Sequence, residues 1–556
     1  MSFSPDTFSL TCKCARREKR RGHALVVLCA SLFVAFFGGG AAFGSPGGTP
    51  CADLTALTLA NVSIKSATMV PAGPFVAPAS GSGAVPAPLN LPSFCRVIAL
   101  ATPVNDSVIN FEVWIPPVDA WNGKFEGVGN GGFSGYISYA AMAAALRRGY
   151  ATASTDTGHV GDDLIFANGH PEKIIDWTYR AMHVTTESAQ LIVRDYAGRF
   201  SQHSYFNGCA SGGHQALTEA QKFPDDYDGI IAGDPAADRI HEIIGYLWSW
   251  ISTHNEDGSR ILSPAKLQLV TQSAVAACDA LDGVRDGVID DPRRCRFNLA
   301  TLTCKGPETD ACLTQQQVQA VQKIYDGVKN PRTGAQIFPG WPVGSEGYGD
   351  APSQGWRQYL IDPAEPMRIG LLRYFVFDDP HWDWHTMDFD RDTAYADQKM
   401  GFVAATDPNM NPYKSRGGKL LMYTGWVDPV LPATDVIDYY EAVTKRMGGS
   451  ANTKQFFRLF MVPGMGHCSG GPGTTTFDMT PALEQWVEKN TPPEEVIASR
   501  VVKDVTIRTR PLCLYPKVAR WKGSGTTDDA ANFACVNEEN SAVRQAVQSK
   551  PAHQEN

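Results

Sequence analysis

The sequence predicts an α/β fold: a mainly parallel sheet with helices on both faces and a lid domain inserted into it. Three observations carry this. Strand-like runs alternate with helical ones over 108–223 and return over 419–462. A glycine-flanked turn at 208–213 joins a strand directly to a helix. Between 237 and 408 the rhythm lapses into a tryptophan-rich stretch with four clustered cysteines. Strands that alternate with helices favour parallel pairing, because each returning helix covers a face of the sheet.

Residues 1–44 read as a secretory signal. Lys13, Arg16, Arg17, Lys19, Arg20 and Arg21 precede the 14-residue apolar run Ala24 to Phe37, and Gly40-Ala41-Ala42 or Ala42-Phe43-Gly44 offers a small-residue cleavage site. A membrane-spanning helix needs about 20 residues, so the run is too short to stay as an anchor. Cys29 lies inside that run, which argues against a lipid-modified cysteine. A secreted or periplasmic chain with no membrane attachment after cleavage is expected.

Residues 45–90, rich in Gly, Pro, Ala and Ser, read as an exposed leading segment. Val108 to Ile115 alternates as a strand should and stops at Pro116-Pro117. Lys124 to Gly129 is a second strand, followed by the turn Asn130-Gly131-Gly132. A helix from Tyr139 to Arg148 closes at Gly149, and Tyr150 to Ser154 is a third strand. Ser204 to Asn207 is a fourth; the helix from Gly212 to Phe223 repeats Ala216, Leu217, Ala220 and Phe223 on one face. Lys419 to Tyr423 and Phe456 to Val462 complete the sheet. Residues 45–236 and 409–556 thus form the core domain, and 237–408 the lid.

A formal charge of −9, with the one dense basic run confined to the leader, excludes a nucleic-acid binder. With 43% apolar residues the chain needs no partner to build a core, and nothing in it sets an oligomeric state. Beyond Cys12, Cys14 and Cys29 of the leader, ten cysteines remain; an even number in an exported chain favours disulfides over zinc or free thiols. Sequence neighbourhood suggests Cys51–Cys95, Cys278–Cys295, Cys304–Cys312 and Cys513–Cys535, leaving Cys209 and Cys468.

The chemistry centres on Gly208-Cys209-Ala210-Ser211-Gly212. Strand, tight glycine-flanked turn and helix make a nucleophile elbow, the G-x-S-x-G frame, with Ala210 at its centre. Such a turn also serves as a plain strand–helix connection. Asp428 follows the strand ending near Val427, and His467 lies in the loop Pro463 to His467 after the next strand. Nucleophile, acid and histidine in that order, each after a strand, is the arrangement of α/β-hydrolases.

Cys209 beside the nucleophile position, Asp428, and His467-Cys468 resemble the CS-D-HC signature of the tannase and feruloyl esterase family. The resemblance covers most of the chain after the leader. It implies an α/β-hydrolase core with an inserted lid, hydrolysis of carboxylic esters of aromatic acids (gallate, ferulate or terephthalate monoesters), and a Cys209–Cys468 disulfide tying the elbow to the histidine loop. It also implies a structural calcium ion in the lid and no organic cofactor. Asp279 to Val288 is acidic and glycine-kinked, which suits a hard cation or a solvated loop. The resemblance assigns the carboxylates of Asp279, Asp282 and Asp286 and the carbonyls of Val284 and Val288 to calcium.

One position departs from the family. Its members carry serine where Ala210 stands. Ser211 is adjacent, but neighbouring side chains in such a turn point apart, so Ser211 is expected to face the helix start. Its N–H and that of Gly131 or Gly132 are the expected oxyanion donors. A methyl group cannot attack a carbonyl, so the chain as written is expected to be nearly inactive. It is either an esterase scaffold without its nucleophile or a non-catalytic pseudoenzyme that binds aromatic esters. A serine peptidase finds no support beyond the triad. His381-Trp382-Asp383-Trp384-His385 reads as an aromatic segment lacking a third metal ligand. Trp341, Trp356, Tyr374 and Phe375 read as lid packing, with pocket lining the alternative.

Overall fold

A computed structural model describes residues 48–79, 87–133, 135–348 and 355–537; the leader reading of residues 1–44 lies outside them. Nine strands form one sheet: β1 Val62–Val70, β2 Phe94–Ala101, β3 Ile109–Ile115, β4 Lys124–Val128, β5 Ala151–Thr155, β6 His203–Cys209, β7 Gly229–Gly233, β8 Lys419–Gly425 and β9 Phe457–Val462. Their order is β1-β2-β3-β5-β4-β6-β7-β8-β9. From β5 to β9 every pairing is parallel. The β1–β2, β2–β3 and β3–β5 pairings are antiparallel. The seven residues between β2 and β3 are too few for the crossover that parallel strands need.

β1 corrects the reading of residues 45–90 as an exposed leader. Val62–Val70 pairs along its length with Phe94–Ala101, while Cys51 and Leu54 are buried. The Gly and Pro around it hide a strand whose outward residues are mostly exposed, as befits a sheet edge.

Among the described residues nine longer helices follow in order: α1 Tyr139–Arg147, α2 Ala181–Ala197, α3 Ser211–Lys222, α4 Arg239–Thr253, α5 Pro264–Cys278, α6 Gln315–Asp326, α7 Arg391–Met400, α8 Ala433–Arg446 and α9 Thr480–Lys489. Strand side chains alternate between the two faces. Phe206, Ile230, Leu420 and Leu459 enter one core with Ala189 and Ile192 of α2, Leu217 of α3 and Val436 of α8. Their neighbours Tyr205, Ile231, Leu421 and Phe460 enter the other, under Leu483 and Trp486 of α9. The helices therefore cover both faces, as the alternation predicts.

Helices α4 to α7 lie in the stretch between β7 and β8. Asp238 caps α4 by accepting from the His241 amide, and a Thr314–Gln317 capping box starts α6. Their apolar faces share a core with Trp341, Trp356 and Phe375, while Tyr374 packs at its margin. That core also takes in Phe133, Leu164 and Trp177 from the connections between β4 and α2. These aromatics are packing residues. Of the 381–385 segment, Trp384 packs edge-on against Trp250 and His385 pairs with Asp383 on the surface.

Candidate active site

The carboxyl ends of β4, β6, β7, β8 and β9 bring the singled-out residues together, at the edge where parallel α/β sheets bind ligands. β6 runs through Cys209 into Ala210, whose φ of 62° and ψ of −116° turn the chain sharply before α3 begins at Ser211. A non-glycine residue held there stores strain, which a nucleophile elbow uses to present its side chain. Glycines make the turn possible by close backbone approach. A Cβ on Gly208 would lie 2.4 Å from the Gly212 carbonyl oxygen, and one on Gly212 3.0 Å from that of Asn130. Backbone bonds fix residue 210: its N–H donates to Gly233 O at 3.0 Å, and its carbonyl accepts from His214 and Ala236 at 3.0 and 3.2 Å. None of these involves the side chain.

Ser211 is 6% exposed. Its hydroxyl donates to the Gly132 carbonyl and accepts from the Arg239 guanidinium. The hydroxyl is thus engaged on both sides, at the glycine turn and at α4. As the first residue of α3, Ser211 has an amide with no acceptor within the helix. The turn Asn130-Gly131-Gly132 is docked on α3 by a reciprocal amide pair. Asn130 N donates to Gln215 Oε1 at 2.9 Å, and Gln215 Nε2 donates to Asn130 Oδ1 at 3.0 Å. Asn130 Nδ2 also holds the carbonyls of Tyr136 and Thr155.

Asp428 follows β8 and His467 follows β9. His467 Nδ1 lies 2.7 Å from Asp428 Oδ2, and Asp428 Oδ1 accepts from the amides of Val430 and Leu431 at 2.7 and 3.0 Å. The carboxylate is fully buried. Burial draws the His467 pKa down, but the charge and hydrogen bond of Asp428, with Asp234 beyond it, raise it above the ordinary histidine value. Engagement of Nδ1 leaves Nε2 to exchange a proton.

Cys209 and Cys468 form a disulfide with Cα atoms 6.0 Å apart, joining the elbow to the histidine loop. The other four pairs are Cys51–Cys95, Cys278–Cys295, Cys304–Cys312 and Cys513–Cys535, as sequence neighbourhood suggests. Sequence reasoning passed over Asp234, Gln215 and Arg239. Asp234 directly follows β7 and is fully buried. The one signal for it was an Asp-Pro pair straight after an apolar strand. Cys209, Asp234 and Cys468 bring potential ligand atoms within 4.8 Å of one another, but both sulfurs are spent in the disulfide, so no thiolate is offered to a metal.

In the lid, Asp279 Oδ1 accepts from the amides of Asp286, Gly287 and Val288, and Asp282 from that of Val284. Burial, opposed by the Val284 amide and reinforced by Asp286 and Asp279, pushes Asp282 up to about 6. Asp286 Oδ2 pairs with Arg510 at 2.8 Å and Arg508 at 3.2 Å. Its Oδ1 is buried with no hydrogen-bond partner, as is Asp290 Oδ2. Asp282, Asp286, Val288 and Asp290 line a cavity of about 30 Å³. Crowded carboxylates with orphaned buried oxygens fit a hard cation, although the two arginines already offset one of them.

A family model for tannase and feruloyl esterase matches residues 95–536. An uncharacterized esterase of Xanthomonas campestris pv. campestris is 41% identical over 546 residues, spanning 89% of this chain and 93% of the relative. The mono(2-hydroxyethyl) terephthalate hydrolase of Piscinibacter sakaiensis is 33% identical over 536 residues, spanning 83% and 87%. The crystal structure of feruloyl esterase B from Aspergillus oryzae superposes with a TM-score of 0.81 at 28% identity, covering 87% of this chain and 99% of that one. The family model and these relatives span most of the described chain, and on that footing the chain belongs to the tannase and feruloyl esterase family.

Proposed function

We propose that this chain is an exported serine-type carboxylic ester hydrolase scaffold for esters of aromatic acids, carrying alanine at its nucleophile position. The observation that carries the reading is the hydrogen bond of His467 to the buried Asp428, tied by the Cys209–Cys468 disulfide to an elbow whose backbone is bent as a nucleophile requires. The family and the names of its relatives, feruloyl esterase and mono(2-hydroxyethyl) terephthalate hydrolase, supply the substrate class.

With serine at 210 the reaction is two-step acyl transfer. The serine oxygen attacks the ester carbonyl carbon while His467 Nε2 takes its proton, and Asp428 steadies the imidazolium. The Ser211 amide and that of Gly131 or Gly132 receive the oxyanion. His467 returns the proton to the departing alcohol, and water then repeats the sequence on the acyl-enzyme. With Ala210 the first bond cannot form, so hydrolysis falls by several orders of magnitude.

A second reading, a non-catalytic binder of aromatic esters, is favoured by Ala210 itself, because only an oxygen is missing from an otherwise intact backbone. The Ala210→Ser variant separates the two when assayed on gallate, ferulate and terephthalate monoesters. Restored turnover supports the hydrolase; a folded variant inert on all three supports the binder. Where turnover is restored, the unaltered chain should bind the best ester with a Kd near the serine form's KM, since ground-state binding does not need the nucleophile. Calorimetry showing no binding well above that concentration would count against an intact pocket.

The lid loop is proposed to hold a calcium ion through the carboxylates of Asp279, Asp282 and Asp286 and the carbonyls of Val284 and Val288. When bound, the ion would neutralise the crowded carboxylates and brace the loop. Export is proposed from the basic and apolar leader together with the five disulfides. No helix among the described residues is long and apolar enough to cross a membrane.

A further inference from the structure

Asp234 connects parts of the centre that the triad leaves separate. It directly follows β7, the strand lying between the elbow's β6 and the β8 that leads to Asp428. Asp234 Oδ1 accepts from the Gly425 amide at 2.8 Å and the Thr424 hydroxyl at 3.0 Å, both at the end of β8. Asp234 Oδ2 accepts from the Cys468 amide at 3.0 Å, one residue past His467, and lies 3.6 Å from the Cys209 sulfur. One fully buried carboxylate thus clasps the ends of β7 and β8, the histidine loop and the disulfide. It does so from a backbone φ of 34°, in the region that side chains rarely adopt.

All these donors are uncharged. A surface turn would hold such loops with amides alone; a buried carboxylate is a costly choice unless its charge is used. The charge that develops next to it is the imidazolium of His467. We propose that Asp234 is a positioning residue of this centre, a second carboxylate that fixes the histidine loop from behind and adds to the field favouring the protonated base. This rests on the hydrolase reading above.

The neighbouring charges are consistent with that role. Burial, and then the nearby Asp428, push Asp234 up to about 7, against the pull of His467 and of its own hydrogen bonds. The other titratable groups that face the pair are Tyr423 on β8, raised further by Asp234, and Glu242 on α4, which acts on His467. Asp234 and His467 therefore titrate as partners, and the field on the imidazole weakens as Asp234 takes up its proton.

The test begins with the chain as written. His467 is titrated by NMR in it and in its Asp234→Asn and Thr424→Val variants, with melting curves as a check on folding. Asp234→Asn removes the charge and should move the His467 midpoint to lower pH. Thr424→Val keeps the carboxylate but removes one donor that favours its ionised form, so a smaller move in the same direction is expected. In the Ala210→Ser background, Asp234→Asn should lower kcat about tenfold with KM little changed, and shift the acid limb of the rate profile downward. A merely structural residue would lower stability without moving the titration. If Asp234→Asn fails to fold, Thr424→Val decides. A His467 midpoint unmoved in every folded variant overturns the proposal. An Ala210→Ser form that is inert with Asp234 intact instead sinks the hydrolase reading, and the titration still judges the electrostatic claim.

Discussion

Two adjacent residues of the elbow behave in opposite ways. Ala210 sits where the backbone is strained and contributes nothing through its side chain, whereas Ser211 owns the hydroxyl and has both its neighbours engaged. Ser211→Ala should therefore destabilise the fold by roughly 1–3 kcal/mol, the cost of leaving buried partners unpaired. In the Ala210→Ser background it should leave turnover in place; melting curves and an ester assay on the double variant check both. Abolished turnover would instead make Ser211 the attacking group. The same background exposes the base. Hydrolysis needs neutral His467, whose pKa lies above the ordinary 6.5, so kcat/KM should fall as pH drops, with its acid midpoint above that value. A midpoint at or below it would contradict the buried Asp428 pair. At this scale Asp428 and His467 were legible, because each follows a strand-like run in a known order. Asp234 was not: its partners Thr424 and Cys468 lie 190 and 234 positions away. No local pattern marks a residue whose purpose is set by such distant neighbours.

Among the elements, the elbow and the lid loop are the ones whose integrity depends on cross-links. Cys209–Cys468 closes a loop of 259 positions, for which the chain-entropy relation gives about 5.5 kcal/mol. Replacing both cysteines by alanine should lower the melting temperature and loosen the His467 loop against the elbow, measurable as lost protection from hydrogen exchange at 466–468. Unchanged stability would mean that the Asp234 hydrogen bonds hold the loop unaided. For the acidic loop of the lid, chelation should lower the melting temperature and added calcium restore it, because a cation bound only by the folded form stabilises it by mass action. Melting indifferent to chelator would leave neutralisation of the loop to arginines such as Arg508 and Arg510, which pair with Asp286. Strand and helix bounds were legible to within a few residues wherever apolar alternation was strong, as in β6 and α3. β1 was not, since an edge strand needs only one covered face and lies among turn-forming residues.

For the molecule as a whole, buried carboxyl groups set the response to pH. Burial pushes Asp156 up to about 6 and, with Asp428, Asp234 up to about 7, from an ordinary 3.8. The folded chain thus holds more protons than the unfolded one between these values, so this contribution to stability is lost as pH rises from about 4 to 7. Asp234→Asn should flatten that part of the profile in denaturant melts across pH; an unchanged slope would place the titration elsewhere. The break in alternation after β7 was legible at this scale, and helices α4 to α7 of that stretch pack around one apolar core. The sharing of the lid core with Phe133, Leu164 and Trp177 was not, because packing between distant segments leaves no periodic trace in either.

The bend at Ala210 is maintained by Gly233, His214, Ala236 and the close approach of Gly208 to Gly212, none of which needs an oxygen at residue 210. The strained turn therefore forms whether or not residue 210 carries a hydroxyl. Every alanine codon lies one nucleotide from a serine codon, so a single base change restores the hydroxyl to a turn that already presents it. On the proposed reading, one mutational step therefore separates the chain as written from a form that carries its nucleophile.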